Sequence, residues 1–264
     1  MTKGEQLADR AQNTDAFEKA ARAGHAVSGF VHLLIAFIIF RLAFGQGGNA
    51  DQSGALGELA GKPGGRIAMW VAVAAFVALA LWRVMEAIVG KRSDSDSGSV
   101  LDRLKAASLA VVYFAFAWSA FGFARGTGKS SGGQNAGMSA RLMQSGPGTV
   151  VVAAAGVVVL AVGGYHIYKG LSRHFVDDLK TNPSKGIQTL GLLGYTTKGL
   201  ALAGAGVLVV VAAVTSDPSK ATGIDGAVKE LGAQPFGQIL LVLAAVGIAL
   251  YGLYAFVLAR WARM

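Results

Sequence analysis

Cysteine is absent from this 264-residue chain. That excludes disulfide scaffolds, Cys-ligated zinc, iron–sulfur clusters, thiol catalysis and covalently attached haem. Charge is scarce as well: Asp, Glu, Lys and Arg make up 15% of the residues, against about 25% in ordinary soluble domains. Proline is rarer still. All five (Pro63, Pro147, Pro183, Pro218 and Pro235) lie between long apolar runs, so nothing inside those runs removes a backbone donor. Glycine is abundant, 37 residues, but follows no G-X-Y period, which removes collagen. What is plentiful is apolar: 53% of residues are hydrophobic and the mean hydropathy is +0.49. The composition is that of a polytopic membrane protein.

A bilayer-spanning helix needs about 20 mostly apolar residues. Six stretches qualify: Ala26–Phe44, Ile67–Val89, Leu104–Ala124, Thr149–Leu171, Leu190–Val214 and Gln238–Ala259. They are too long for strands and do not alternate apolar with polar. The first follows a charged tail and is not closely followed by an A-x-A cleavage site, so it reads as a retained span.

Lys and Arg set the expected orientation. One side carries fourteen: Lys3, Arg10, Lys19, Arg22, Lys91, Arg92, Arg103, Lys105, Lys169, Arg173, Lys180, Lys185, Arg260 and Arg263. The other carries seven: Lys62, Arg66, Arg125, Lys129, Arg141, Lys220 and Lys229. This bias predicts that both termini are cytoplasmic, in a bacterial cytoplasmic membrane. The net charge of +9 then reads as topogenic charge beside anionic headgroups. No basic run with interleaved aromatics points to nucleic acid.

The chain repeats itself. Gly54–Arg66 lies over Gly226–Gln238 with six of thirteen positions identical, among them Glu58/Glu230, Leu59/Leu231 and Pro63/Pro235. Ser139–Met143 followed by Gly146-Pro147-Gly148 is a weaker middle copy. Trp82, Tyr165 and Tyr254 fall in register, Gly24-His25 matches Gly194-Tyr195, and Gly29 matches Gly199. The expected organisation is a cytoplasmic tail, 1–18, and three two-helix hairpins, 19–90, 102–175 and 186–263, forming one bundle. The fold class is all-α membrane: six transmembrane helices as three parallel hairpin repeats, pseudo-threefold about the membrane normal. Ala-Leu-x-Glu-Leu before Pro-x-Gly reads as a short amphipathic helix on the outer surface.

These three helix pairs, each with Gly-aromatic at the first span, Ala-Leu-x-x-Leu, Pro-Phe-Gly and a late aromatic in the second, resemble the bacterial membrane family catalogued as domain of unknown function 1206. The resemblance covers nearly all the chain after residue 19. Repeats one and three carry it. Repeat two lacks the Gly-aromatic pair and the Glu, so its outer helix is not legible in the sequence. The resemblance implies the fold and transfers no activity.

Ionisable groups inside spans are expensive and mark candidate sites. Arg83 and Glu86 lie near the inner end of the second span, three apart and able to pair. His166 and Lys169 hold equivalent positions in the fourth span, and Lys198 lies within the fifth. Arg83, Glu86, His166, Lys169 and Lys198 are therefore the candidate site for an anion or lipid headgroup. His32, the deepest titratable group, is the candidate for a proton relay. No metal or other cofactor is expected. A His25–His166 pair of haem ligands is conceivable from level alone but has no supporting signature.

The chain carries no His-Glu-x-x-His motif and no complete P-loop, and the Gly-rich stretch Gly126–Gly137 reads as an outer loop. It is accordingly read as non-enzymatic. The expected role is structural, binding anionic membrane lipids or a membrane-protein partner. The alternative is a small anion or proton-coupled transporter.

Overall fold

In the computed structural model, residues 15–89 and 100–263 are described. The lysines and arginines of the charge bias at 3, 10, 91 and 92 lie outside them. Among the described residues the chain is helical, with no strand. Six helices are long and apolar enough to cross a membrane: α1 (Asp15–Ala43), α3 (Gly65–Val89), α4 (Val100–Ala124), α6 (Gly146–Leu171), α7 (Lys185–Thr215) and α9 (Gly237–Trp261). Each contains the span expected from the sequence, to within one residue at the end of α1. Three shorter helices join them in alternate connections: α2 (Gln52–Ala60), α5 (Ser131–Leu142) and α8 (Ile224–Ala233). Repeat two therefore has its short connecting helix as well. Ser130 starts it, its side chain accepting from the Gly133 amide.

The junction between short helix and following span is built alike three times. Gly65, Gly148 and Gly237 each sit with the position of a Cβ within 2 Å of a carbonyl oxygen of the preceding segment, those of Leu59, Leu142 and Gly232. Only glycine permits so tight a re-entry. The residue before it has positive φ in repeats one and three, Gly64 at 76° and Phe236 at 62°. In repeat two Pro147 occupies the first turn of α6 instead, where its missing N–H costs nothing.

The chain divides into two compact units. The first contains Leu56–Lys129, hence α3 and α4. Its core joins Leu56, Met69, Phe76, Ala117, Ala120 and Ala124, with Phe76 against Tyr113 and Phe116 and Trp70 edge-on to Phe121.

The second unit, Ala21–Ala55 with Ser130–Met264, contains α1 beyond its first turns, α5, α6, α7, α8 and α9. Here glycines set the packing. On α6, Gly156, Gly163 and Gly170 recur every seven residues and meet, in turn, the α7 backbone at Gly206 and Val210, at Gly199 and Ala203, and at Leu192 and Thr196. That is an antiparallel seam with a heptad period, close because no side chain intervenes. On the other side of α7, Gly194 admits the Tyr251 backbone of α9, and Gly191 admits the Phe175 ring. Between α1 and α9, Ile35, Ile38 and Ile39 pack with Leu241, Ala245 and Ile248. Arg22 at the start of α1 donates to the carbonyl of Ala259, 3.0 Å away, near the end of α9. The chain thus enters the first span and leaves the last on one side, and the Arg22 cation lies where a helix C-terminus favours it.

Opposite that side, buried polar groups tie the connections together. Asp225 of α8 accepts the Ala50 amide at 2.7 Å and pairs with Lys229 at 2.7 Å. Asp51 accepts from the Ser53 hydroxyl and the Gly54 amide at the start of α2, while Ser53 Oγ accepts the Ser131 amide of α5 at 2.9 Å. Exposed apolar side chains such as Val150, Val214, Ile239 and Leu243 cover the outside of the spans, as lipid contact requires.

A tyrosine cluster with two lysines as candidate functional site

The candidate residues fall in two places. Arg83 and Glu86 belong to the first unit, where they pair with each other along α3. His166, Lys169, Lys198 and His32 belong to the second unit and surround a cluster of rings.

That cluster follows from the glycines of α7. Because Gly194 brings α9 close, Lys198, one turn further along the same face, reaches the Tyr251 hydroxyl and donates to it at 2.9 Å. Its ammonium also lies 4.1 Å from the centre of the Tyr251 ring. Because Gly191 leaves a hole, Phe175, in the connection between α6 and α7, inserts there and is fully buried. It stacks on Tyr195 at 5.7 Å and meets Tyr254 edge-on at 5.3 Å. Tyr254 Oη donates to the Phe175 carbonyl at 2.9 Å. Tyr195 is in turn edge-on to Tyr251, with centroids 5.3 Å apart. Such ring pairs are a favoured arrangement and hold the cluster rigid.

The cations take their places on this frame. Lys169 lies over Tyr195, 5.5 Å from its centre, and pairs with Asp178 at 2.7 Å. His166 lies beside Tyr195 at 6.0 Å and donates from Nδ1 to its own helix, at Val162 O. His32 of α1 lies 4.6 Å from Tyr251 and donates likewise to Ser28 O at 2.7 Å. Lys198 differs from Lys169: among the described residues no carboxylate lies within ion-pair distance of it, and its partner is a neutral phenol. Lys198 also lies inside the span. Counted from Leu190, where the apolar stretch begins, it is eight residues along α7, about 12 Å at 1.5 Å per residue, or two turns in from the end.

The sequence reading missed Tyr195 and Tyr251 as members of the site, and Asp178 altogether. Tyr195 and Tyr254 had signalled themselves only as repeat markers. Asp178 gave no signal, since it lies in a connection rather than a span. One motif was also passed over. Gly128-Lys129-Ser130-Ser131-Gly132 spells Gly-x-Ser-x-Gly and includes a Gly-Lys-Ser triplet. No strand precedes it among the described residues, and Ser130 serves as the N-cap of α5, so it is not a nucleophile elbow. Among the described residues no three His, Asp or Glu side chains come together so as to hold a metal ion.

Comparison with known proteins identifies the architecture. The family described as Domain of Unknown Function (DUF1206) matches three times, at residues 23–90, 104–173 and 193–262. The chain belongs to that family. Each match covers one hairpin pair, so the DUF1206 unit is the repeat itself. The chain is also similar, at 28% identity, to the uncharacterized protein YxxB of Bacillus subtilis (strain 168), over 90% of this chain and 88% of the relative. No solved structure matches it. As a DUF1206 protein, it is a multi-pass membrane protein of three repeats.

Proposed function

We propose that this DUF1206 protein is a non-enzymatic protein of a bacterial cytoplasmic membrane that binds the anionic headgroup of a lipid at Lys198. One observation carries the reading: Lys198 is a cation about two turns inside a membrane-spanning segment, with a phenol as partner and, among the described residues, no carboxylate within ion-pair distance. A charge held there demands a counter-ion. A phosphate fits the donors at hand, the Lys198 ammonium with the Tyr251 hydroxyl beside it. The apolar outer surface of the spans offers the acyl chains a place. In this reading both termini are cytoplasmic and the lipid belongs to the inner leaflet. Arg83 and Glu86 neutralise one another and take no part.

The test is native mass spectrometry of the protein gently extracted from its own membrane. Wild type is expected to carry an anionic lipid, and Lys198→Met to lose it. Equal occupancy in the two refutes the reading. A protein partner retained in place of lipid would turn the argument towards assembly.

A second reading, transport of a small anion or a coupled proton, draws on the row His32, Tyr251, Lys198, in which Tyr251 contacts both neighbours. It predicts flux in proteoliposomes that His32→Ala removes. Full flux in that variant excludes the relay.

A further inference from the structure

We infer that Asp178 sets the charge of the ligand: as a built-in counter-ion to Lys169, it makes the cluster selective for a singly charged phosphodiester headgroup over a doubly charged phosphomonoester. This rests on the reading of Lys198 as the anion-binding residue. Lys169 and Lys198 lie over adjoining rings, Tyr195 and Tyr251, whose centres are 5.3 Å apart. Both cations also act electrostatically on His166, so an anion at Lys198 enters the field of Lys169 as well. Two ammonium groups alone would suit a dianion. Asp178 cancels one of them at 2.7 Å, which leaves a single positive charge to be matched.

The backbone that carries the carboxylate is fastened independently of the lysine. On one side of it, Phe175 is buried and its carbonyl takes the Tyr254 hydroxyl. On the other, the Lys180 amide donates to Trp261 O at 2.8 Å, and Leu179 bridges to Ala262. The Asp178 carbonyl itself accepts the Arg263 amide at 2.7 Å. All these contacts use backbone or other side chains, so Asp178→Asn leaves the segment fastened. Asp178 thus presents its carboxylate to Lys169 from a fastened backbone, as a charge that a ligand must either match or displace.

The experiment presents the purified full chain with phosphatidylglycerol and phosphatidate at equal mole fraction in mixed micelles. Bound lipids are counted by native mass spectrometry. A phosphomonoester carries roughly −1.5 to −2 charges against one for the diester. Wild type is expected to prefer phosphatidylglycerol. Asp178→Asn is expected to shift the bound ratio towards phosphatidate by roughly tenfold. The charge-balanced pair Lys169→Gln with Asp178→Asn is expected to restore the wild-type ratio, which a purely structural role for Asp178 would not do. A ratio within about twofold of wild type in Asp178→Asn, with lipid still bound, overturns the charge assignment and leaves the Lys198 site standing. Failure of the double variant to restore the ratio overturns it too. Neither lipid bound to wild type overturns the Lys198 reading itself.

Discussion

Gly29 of α1 and Gly252 of α9 face each other so closely that a Cβ on either would lie 2.8 or 2.9 Å from the other's carbonyl oxygen. Gly199 of α7 and Gly163 of α6 make the same reciprocal contact, at 2.7 and 2.8 Å. The repeat register equates these pairs: Gly29 matches Gly199, and Gly163 and Gly252 each stand two residues before a register tyrosine. The first helix of one repeat therefore packs tightly on the second helix of a different repeat, and it does so twice in the same way. Valine at Gly163 or Gly252 is expected to destabilise the protein by about 1–3 kcal/mol, because the obstacle is backbone and cannot rotate aside. Gly164, with nothing within 4 Å of its Cβ position, is the control. Thermal unfolding in detergent measures the three. Equal midpoints would dissolve the seam argument.

Tyr251→Phe deletes the one acceptor that Lys198 has among the described residues. The loss is expected to cost about 1–3 kcal/mol in a neutral detergent, since it strands a charged donor. Anionic lipid should recover most of it by supplying another acceptor. A deficit that lipid does not touch would count against the headgroup site.

Asp225 is 5% exposed and satisfies both the Ala50 amide and Lys229. Asp225→Ala leaves a buried amide without its acceptor, so it is expected to cost about 1–3 kcal/mol. Lys229 is half exposed, and Lys229→Ala should cost under about 1 kcal/mol. Comparable losses from both would place the stability in the ion pair rather than the buried hydrogen bond.

Phe236 holds φ at 62° and is 80% exposed, at the position where repeat one has Gly64. A left-handed conformation costs a non-glycine residue roughly 1–2 kcal/mol. Phe236→Gly is expected to recover about that much in detergent, where nothing packs on the ring. In membranes the gain should shrink if the ring anchors at the interface. A lowered midpoint in detergent would contradict this account.

Orientation is open to a direct check. A fluorescent protein fused after Met264 is expected to fluoresce, and alkaline phosphatase fused there to stay inactive. Phosphatase inserted in the connection before α5 is expected to be active. The reverse pattern would move the lysine cluster to the other leaflet and remove the inner-leaflet lipid from the proposal.

Much of this architecture was legible in the sequence, because the bilayer makes a demand that a linear pattern can answer. A span must satisfy its own backbone, so about 20 apolar residues without proline suffice to announce it. Pro63 and Pro235 mark corresponding junctions for the same reason, and the third match, at Gly146-Pro147-Gly148, announced a junction even where the Glu was missing. The short pairing of Arg83 with Glu86 was equally readable, since three residues on a helix fix it. Hydropathy does not fix how a helix is rotated, and everything about the candidate site depends on that. In the sequence Gly194 reads only as a repeat marker, and Gly191 carries no signal of its own. In the tertiary structure they are the openings through which Phe175 and the Tyr251 backbone approach α7. Lys198 meets Tyr251 across 53 residues of sequence, and Lys169 meets an aspartate in a connection that carries no span signal. The membrane's solvent physics dictated the helices. Only the close packing of their glycine faces decided which charges were paired within the fold and which one was left with a phenol.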